Sequence, residues 1–180
     1  FNTKSVTDMS SMFNGCSSLK EMTLPFVGYS RTSGNYDYTS LFGYIFGTSS
    51  YSGGTATEQR YNTNSSYRRT NYIPTSLTKV TITDASTIYY GAFSNCSRIV
   101  ELNLNDEITR IEDYAFYNCT GIDTFNLPAS LVSLGSYAMY NCGSITDIEI
   151  PAGVKTINDY TFYSCEKLSN VKFHADITYI

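Results

Sequence analysis

Few side chains in this 180-residue chain could carry catalytic chemistry. Histidine occurs only once, at His174. A nucleophilic triad needs a histidine base and a multi-histidine metal site needs several, so neither is expected. The carboxylates of Glu101, Asp147 and Glu149 remain as candidates for acid and base work. A paired-carboxylate hydrolase also needs a fixed separation and one pKa raised by an apolar pocket, which a solvated surface does not provide.

Composition and charge narrow the function further. Hydrophobic residues make up 42% of the chain and charged residues 16%, which predicts a folded protein. The net charge is −4 without a lysine or arginine block, so nucleic acid is not an expected partner. No apolar run approaches the roughly 20 residues of a membrane span. We therefore expect no membrane insertion by this chain, no catalysis, and no metal or cofactor.

Cysteine spacing reveals the architecture. Four of the five cysteines recur every 23 residues, which is the signature of a repeat protein. They are Cys96, Cys119, Cys142 and Cys165. Several apolar columns share this period, including the one formed by Phe93, Phe116, Met139 and Phe162. Because free cysteine is commonly buried, we expect these thiols to be reduced core residues, with a redox role as the alternative.

Each repeat carries one strand pattern, in which an apolar residue is followed by two variable positions, an apolar, a variable and an apolar residue. The segments are LKEMTL, LTKVTI, IVELNL, IDTFNL, ITDIEI and LSNVKF. They are predicted to form one parallel concave sheet in sequence order. Alternation places four candidate ligand-contact residues on its exposed face, namely Glu101, Asn103, Asp147 and Glu149. A second short extended segment is predicted after each strand, as in EITRI.

The remaining part of each repeat, such as EDYAFYNC, predicts a short helical turn on the other side of the solenoid. Asp113, Ser136 and Asp159 stand where an N-cap would accept backbone hydrogen bonds. Two tyrosine columns flank this turn, at positions 114, 137 and 160 and at positions 117, 140 and 163. They either present a flat aromatic strip to a glycan or protein, or pack over the core edge with their hydroxyls in water.

The repeat pattern fails between residues 26 and 76, which separate a variant repeat (1–25) from regular repeats (77–180) of one domain. Within this Tyr-rich insertion, LFGYIFG is predicted to replace a turn and the following segment predicts a β-hairpin. Its candidate ligand contacts are Arg60, Tyr61, Tyr67, Arg68 and Arg69. Tyrosine supplies rigid contact area, and grouped arginines form a positive patch suited to acidic glycans or carboxylate-rich proteins. Alternatively, the tyrosines pack the hairpin onto the solenoid.

The motifs IEDYAFYNCTGIDTFNLP and SLGSYAMYNCGSITDIEIP resemble the BspA-type (Treponema-type) leucine-rich repeat of bacterial surface proteins. The start, VTDMSSMFNGCSSL, is similar to a sister repeat of the same proteins. The resemblance implies an α/β repeat solenoid with one concave parallel sheet and short helical turns opposite. It further implies an extracellular or cell-surface module that binds a host matrix protein, a cell-surface protein or a glycan.

Two other functions remain open at this stage. One is a structural spacer within a larger surface protein, and the remote one is a carbohydrate-active enzyme. Because the chain starts at Phe1 inside the repeat pattern, we expect it to be a fragment. A deep pocket with converging carboxylates would favour the enzyme, whereas exposed aromatic or charged groups on one face would favour binding.

Overall fold

The computed structural model describes residues 6–30, 34–64, 66–174 and 177–180, and these form a solenoid of short parallel strands with one antiparallel hairpin. The strands are β1 (Glu21–Leu24), β2 (Gly54–Arg60), β3 (Arg68–Pro74), β4 (Lys79–Ile82), β5 (Thr87–Ile88), β6 (Glu101–Asn103), β7 (Arg110–Ile111), β8 (Thr124–Phe125), β9 (Ser133–Leu134), β10 (Asp147–Ile150) and β11 (Asn170–Phe173). Each strand is short because a repeat of 23 residues must complete a full circuit.

The concave strands pair in sequence order, as predicted, but they form two sheets. Strands β1, β4, β6 and β8 make a four-stranded parallel sheet, and β10 pairs separately with β11. The single continuous sheet is therefore wrong at one junction, between β8 and β10. This break falls beside Phe125, the aromatic member of a column that is otherwise aliphatic, whose ring packs on Phe116 at 5.1 Å. We attribute the break to the larger space that this ring occupies.

A second sheet confirms the predicted second extended segment. Strands β5, β7 and β9 pair in parallel, with Ile88 beside Ile111 and Ile111 beside Leu134. An isolated bridge between Thr156 and Tyr179 continues the series. Within each turn, the strand of this second sheet faces the concave strand, so the alternating apolar residues of both strands meet in one core.

The aromatic column lies at the centre of this core. Phe93 and Phe116 are fully buried and their rings stack at 5.6 Å. Phe42, from the insertion, extends the column by stacking on Phe93 at 4.9 Å. The Phe42 amide donates to the carbonyl of Ala92 at 2.8 Å, much as the Phe93 amide donates to Ala115. The segment LFGYIFG therefore replaces a turn, as predicted.

The predicted helical turns are successive tight turns without regular helix. Among the described residues, helix occurs only as two short 3-10 segments, Tyr38–Ser40 and Phe42–Phe46. In one repeat, the amide of Tyr117 bonds to the carbonyl of Tyr114 at 3.1 Å. Tyr114 and Asn118 both have a φ of +58°, and a left-handed residue at each end prevents helix propagation.

The predicted N-cap role of Asp113 is also wrong. Its Oδ1 accepts a hydrogen bond from the backbone amide of Ser136, in the next repeat, at 2.8 Å. With no helix to cap, the carboxylate links neighbouring turns along the solenoid. Burial raises the pKa of Asp113, and the bond from Ser136 acts in the opposite direction.

The predicted hairpin is present and is fastened to the solenoid through buried polar groups. Strands β2 and β3 pair antiparallel over their whole length. Gln59 is fully buried, and its Oε1 accepts from the Gly43 amide at 2.7 Å. A Cβ atom at Gly43 would lie 2.4 Å from that oxygen, so glycine is required there. The hairpin thus has a fixed position beside the first regular repeat.

Candidate ligand-binding surfaces

The register of the hairpin separates the arginines that the sequence places together. Residues directly opposite in an antiparallel pair share a face, and here Arg60 lies opposite Arg68, while Arg69 lies opposite Gln59. Since Gln59 is buried against the solenoid, Arg69 belongs to the inner face. Arg60 and Arg68 belong to the outer face. The three arginines do not form one positive patch.

Arg69 supports an aromatic group that we name the tip cluster, formed by Tyr38, Tyr61, Tyr67 and Arg69. The Arg69 guanidinium lies 4.7 Å from the centre of the Tyr38 ring. Tyr61 contacts the rings of Tyr38 and Tyr67, each at 5.8 Å. Tyr38 and Tyr67 are 40% and 48% exposed. The cluster is therefore both packed and accessible, and Tyr38 is a member that sequence reasoning missed because it comes from a separate segment.

Arg60 is placed against the tyrosines of the first regular repeats. Its guanidinium lies 4.8 Å from the centre of the Tyr114 ring and 5.9 Å from that of Tyr117. Such stacking is a favourable cation–π contact. Burial raises the pKa of the adjacent Tyr90 to about 12, with Arg60 acting in the opposite direction. The Tyr90 hydroxyl therefore remains protonated at neutral pH.

A polar cleft separates the outer face of the hairpin from these repeats, with a volume of about 260 Å³. We name it the hairpin cleft. Its lining consists of Glu58, Arg60, Arg68, Asn95, Tyr117 and Asn118. Arg68 pairs with Glu58 across the hairpin at 2.6 Å, and both side chains are about half exposed. The sequence analysis identified both arginines of this lining but neither asparagine.

The two asparagines belong to a ladder of side-chain amides. Asn118 Nδ2 donates to Asn95 Oδ1 at 3.0 Å, and Asn141 Nδ2 donates to Asn118 Oδ1 at 3.1 Å. Asn95 Nδ2 in turn donates to the backbone carbonyl of Glu58 at 2.6 Å. All three asparagines have a positive φ, a conformation that asparagine tolerates well. The ladder fixes the orientation of the amides in the hairpin cleft.

The tyrosine columns stack rather than form a flat strip. The rings of Tyr114 and Tyr137 lie 4.7 Å apart with planes only 6° from parallel. Tyr117 and Tyr140 lie 4.8 Å apart at 15°. Because each ring faces the equivalent ring of the next repeat, the columns show mainly ring edges and hydroxyls to solvent. The flat aromatic strip is therefore not formed, and the rings stabilise the stacking of repeats.

On the concave face, Glu101 is engaged by its neighbours. Its carboxylate accepts from Asn103 at 2.8 Å and lies 2.9 Å from Lys79 Nζ. Hydrogen bonds from Asn103 and then from Lys79 lower the pKa of Glu101. A catalytic acid requires the opposite shift.

The other concave carboxylates have similar surroundings. Glu149 lies 3.0 Å from Lys172 Nζ and 3.0 Å from His174 Nε2, and the hydrogen bonds from His174 and then Lys172 lower its pKa. Asp147 accepts from Asn170 at 3.3 Å. His174 is exposed, as its position after the last strand predicts. These side chains are solvated, and exposed ion pairs of this kind contribute little free energy.

The cysteine column confirms the predicted burial for Cys96, Cys119 and Cys142, whereas Cys165, in the last repeat, is only partly buried. Cys119 Sγ donates to the carbonyl of Phe93 at 3.0 Å, and Cys142 Sγ donates to that of Phe116 at 3.3 Å. Burial raises the pKa of both thiols. Cys16, in the variant repeat, is exposed, and all five cysteines are free. Among the residues described, no cluster of three or more histidine, cysteine, aspartate or glutamate side chains is arranged to hold a metal ion.

Short parallel strands stacked with a 23-residue period, joined by tight turns around an apolar core, define a leucine-rich repeat protein. The family model described as the BspA type leucine rich repeat region (6 copies) matches residues 66–180. The chain belongs to the BspA type leucine rich repeat region family.

Three crystal structures of bacterial leucine-rich repeat proteins are similar to this chain. The T. pallidum leucine rich repeat protein is 24% identical over 54% of this chain and 56% of its own, with a TM-score of 0.43. A leucine rich cell surface protein from Faecalibacterium prausnitzii is 17% identical over 87% and 48%, with a TM-score of 0.47. A protein from Bacteroides ovatus is 16% identical over 66% and 52%, with a TM-score of 0.38.

The chain thus spans about half the length of these structures. A comparison with curated proteins finds no match. Within the described ranges, no helix has the length and apolar character needed to cross a bilayer.

Proposed function

We propose that this domain is a protein-binding module of a bacterial surface protein, and that it attaches the cell to a host matrix or cell-surface protein. The leucine-rich repeat family supports the scaffold part of this proposal. The tip cluster is the single observation that supports the binding part. The proposed role is non-catalytic, since hydrogen bonds lower the pKa of Glu101 and of Glu149, whereas a catalytic acid needs a raised pKa.

The tip cluster has the properties of an interface anchor. Tyrosine and arginine are the residue types most enriched among the energetically dominant contacts of protein interfaces. Tyr67 and Tyr38 are accessible, yet their ring contacts with Tyr61 hold them in place. A rigid side chain loses little conformational entropy on binding, so its contact area contributes more to affinity. The buried Gln59 fastens the hairpin and thereby fixes the cluster.

The concave face has a secondary role in this proposal. Asn103 and Asp147 are available for hydrogen bonds at the rim of an interface, whereas Glu101 and Glu149 already have cationic neighbours within 3.0 Å. A partner that uses these two carboxylates must first separate them from those neighbours. The gain in affinity is then small.

A structural spacer is the second candidate. It is favoured by the stacked tyrosine columns and the asparagine ladder, which link successive repeats along the solenoid. Such a solenoid keeps its shape over its whole length and needs no ligand to do so.

Binding to purified extracellular matrix proteins distinguishes the two candidates. The proteins are enzymatically deglycosylated, so that biolayer interferometry measures contacts with protein alone. We expect at least one of them to bind, and the double variant Tyr38→Ser, Tyr67→Ser to weaken that binding at least tenfold. Tyr163→Ser is the matched control, since Tyr163 is 54% exposed but belongs to a regular column far from the tip. Equal binding by the double variant, or no binding by the native chain, favours the spacer.

A further inference from the structure

We infer that the hairpin cleft is a separate binding site for a glycan that ends in a carboxylate-bearing sugar. This site has a different ligand from the tip cluster and goes beyond the proposed function. The inference rests on the charge of Arg60, the orientation of two asparagine amides and the size of the cleft.

Charge is the first argument. Glu58 is the acidic residue in the lining, and its carboxylate is neutralised by Arg68 at 2.6 Å. Among the residues that the structure describes, no carboxylate forms an ion pair with Arg60. The cleft therefore carries one uncompensated positive charge. A ligand with one negative charge complements it.

The orientation of Arg60 makes that charge selective for a carboxylate. Its guanidinium lies over the face of the Tyr114 ring, at 4.8 Å. The N–H groups of a guanidinium lie in its own plane, so stacking on a ring face leaves its edge able to donate. Two parallel N–H groups match the two oxygens of a carboxylate. Arg60 is also held by its backbone, whose amide donates to Ser94 Oγ at 3.0 Å.

The amides favour a sugar over an acidic protein side chain. Asn95 and Asn118 each use one N–H group within the ladder. A side-chain amide has two N–H groups and an oxygen with two lone pairs, so each keeps a second donor. An aspartate or glutamate side chain would pair with Arg60 only and would leave these amide donors unused. A sugar also brings hydroxyls, which pair with these amides within the same cleft.

The size of the cleft fits one sugar residue. Its volume of about 260 Å³ is below the roughly 300–1,000 Å³ typical of pockets for drug-sized ligands. A terminal monosaccharide enters such a space, while the rest of the chain continues into solvent. Tyr117 forms one wall, so an aromatic side chain also lines the cleft.

The test compares an acidic glycan with its methyl ester, which differs from it only in the carboxylate, and with a glycan that lacks the acidic sugar. Isothermal titration calorimetry measures binding of 3′-sialyllactose, its methyl ester and lactose to the native chain. A disaccharide that contains glucuronic acid shows whether the site prefers a sialic acid or a uronic acid. We expect one acidic glycan to bind at least tenfold more tightly than its neutral counterpart. Binding should weaken as ionic strength rises, because the attraction is partly screened.

Protein variants locate the site. Arg60→Gln should remove the preference for the acid, and Arg60→Lys should restore part of it, since lysine keeps the charge without the planar fork. Arg110→Gln is the matched control, because Arg110 is exposed and paired with Glu112 on another surface. The tip variant Tyr38→Ser, Tyr67→Ser should bind the glycan normally, so the two proposals fail independently.

Three results would overturn the inference. They are no binding of either acidic glycan, equal affinity for the acid and its methyl ester, or unchanged binding by Arg60→Gln. The methyl ester comparison uses the native protein, so it decides the question even where a variant folds poorly.

Discussion

The side chain of Gln59 joins the hairpin to the solenoid by donating a hydrogen bond from Nε2 to the backbone carbonyl of Ala92, at 2.9 Å. Its Oε1 accepts from the amide of Gly43, so one buried side chain connects three segments. Both candidate binding surfaces depend on this connection. Arg60 follows Gln59 directly, and the tip cluster lies at the end of the same hairpin.

Replacing Gln59 should loosen the hairpin and destabilise the domain. Gln59→Ala leaves the buried Gly43 amide without its partner, at a cost of about 1–3 kcal/mol, whereas the Ala92 carbonyl keeps its hydrogen bond from the Phe42 amide. We therefore expect a loss of about 1–3 kcal/mol in the free energy of unfolding, measured by urea denaturation. Glu58→Ala is the control, since Glu58 is exposed and its ion pair contributes about 0–1 kcal/mol. Similar losses of stability in the two variants would contradict the role of Gln59 in fastening the hairpin.

The aromatic column should carry much of the core stability. Phe116 is 1% exposed and contacts the rings of Phe93 and Phe125. Phe116→Ala should reduce the free energy of unfolding by about 3–5 kcal/mol through lost burial and a residual cavity. Val132→Ala, at a side chain that is 56% exposed, should change it by less than about 0.5 kcal/mol. An unchanged melting temperature for Phe116→Ala would refute the central role of this column.

The two tyrosine columns should respond in opposite ways to glycine. Tyr137 has a φ of +56°, whereas Tyr140 is not among the left-handed residues. Glycine adopts positive φ without steric cost, so Tyr137→Gly should be about 1 kcal/mol more stable than Tyr137→Ala.

At Tyr140 the order should reverse, because glycine there only adds conformational freedom to the unfolded chain. Tyr140→Gly should be about 0.5–1 kcal/mol less stable than Tyr140→Ala. Both pairs are compared by chemical denaturation. The same order at both positions would contradict the left-handed conformation of Tyr137.

Thiol reactivity should distinguish the variant repeat from the regular ones. Burial raises the pKa of Cys119 and Cys142, so little thiolate is present at pH 8, while Cys16 is exposed. With a disulfide reagent at pH 8, we expect one thiol to react quickly in the native protein and all five after unfolding. Cys16→Ser should remove the fast phase. Rapid reaction of the buried column in the native state would contradict its burial.

The repeat architecture was predictable because the packing requirement that produces it recurs in every repeat. Every 23 residues the same positions must fill the same core space, so the period of Phe93, Phe116 and Met139 directly reports burial. The strand segments follow from the same alternation. The prediction of helical turns was wrong because the left-handed φ of Tyr114 is a backbone property that side-chain periodicity does not encode.

The candidate sites could not be predicted in this way, because the contacts between their residues do not recur with the repeat period. Arg68 and Arg69 are neighbours in sequence, yet the register of β2 with β3 places them on opposite faces. Tyr38 joins Tyr61 only because the insertion folds back on itself.

The sequence by itself therefore determined the solenoid, its core and the presence of a hairpin, since each depends on local alternation or a regular period. Only the tertiary structure decided which residues meet around the hairpin cleft, such as Arg60 with Tyr117 and Asn118. The physical reason is that these contacts join an irregular excursion to a regular scaffold. Their geometry depends on where one buried glutamine fastens the two together.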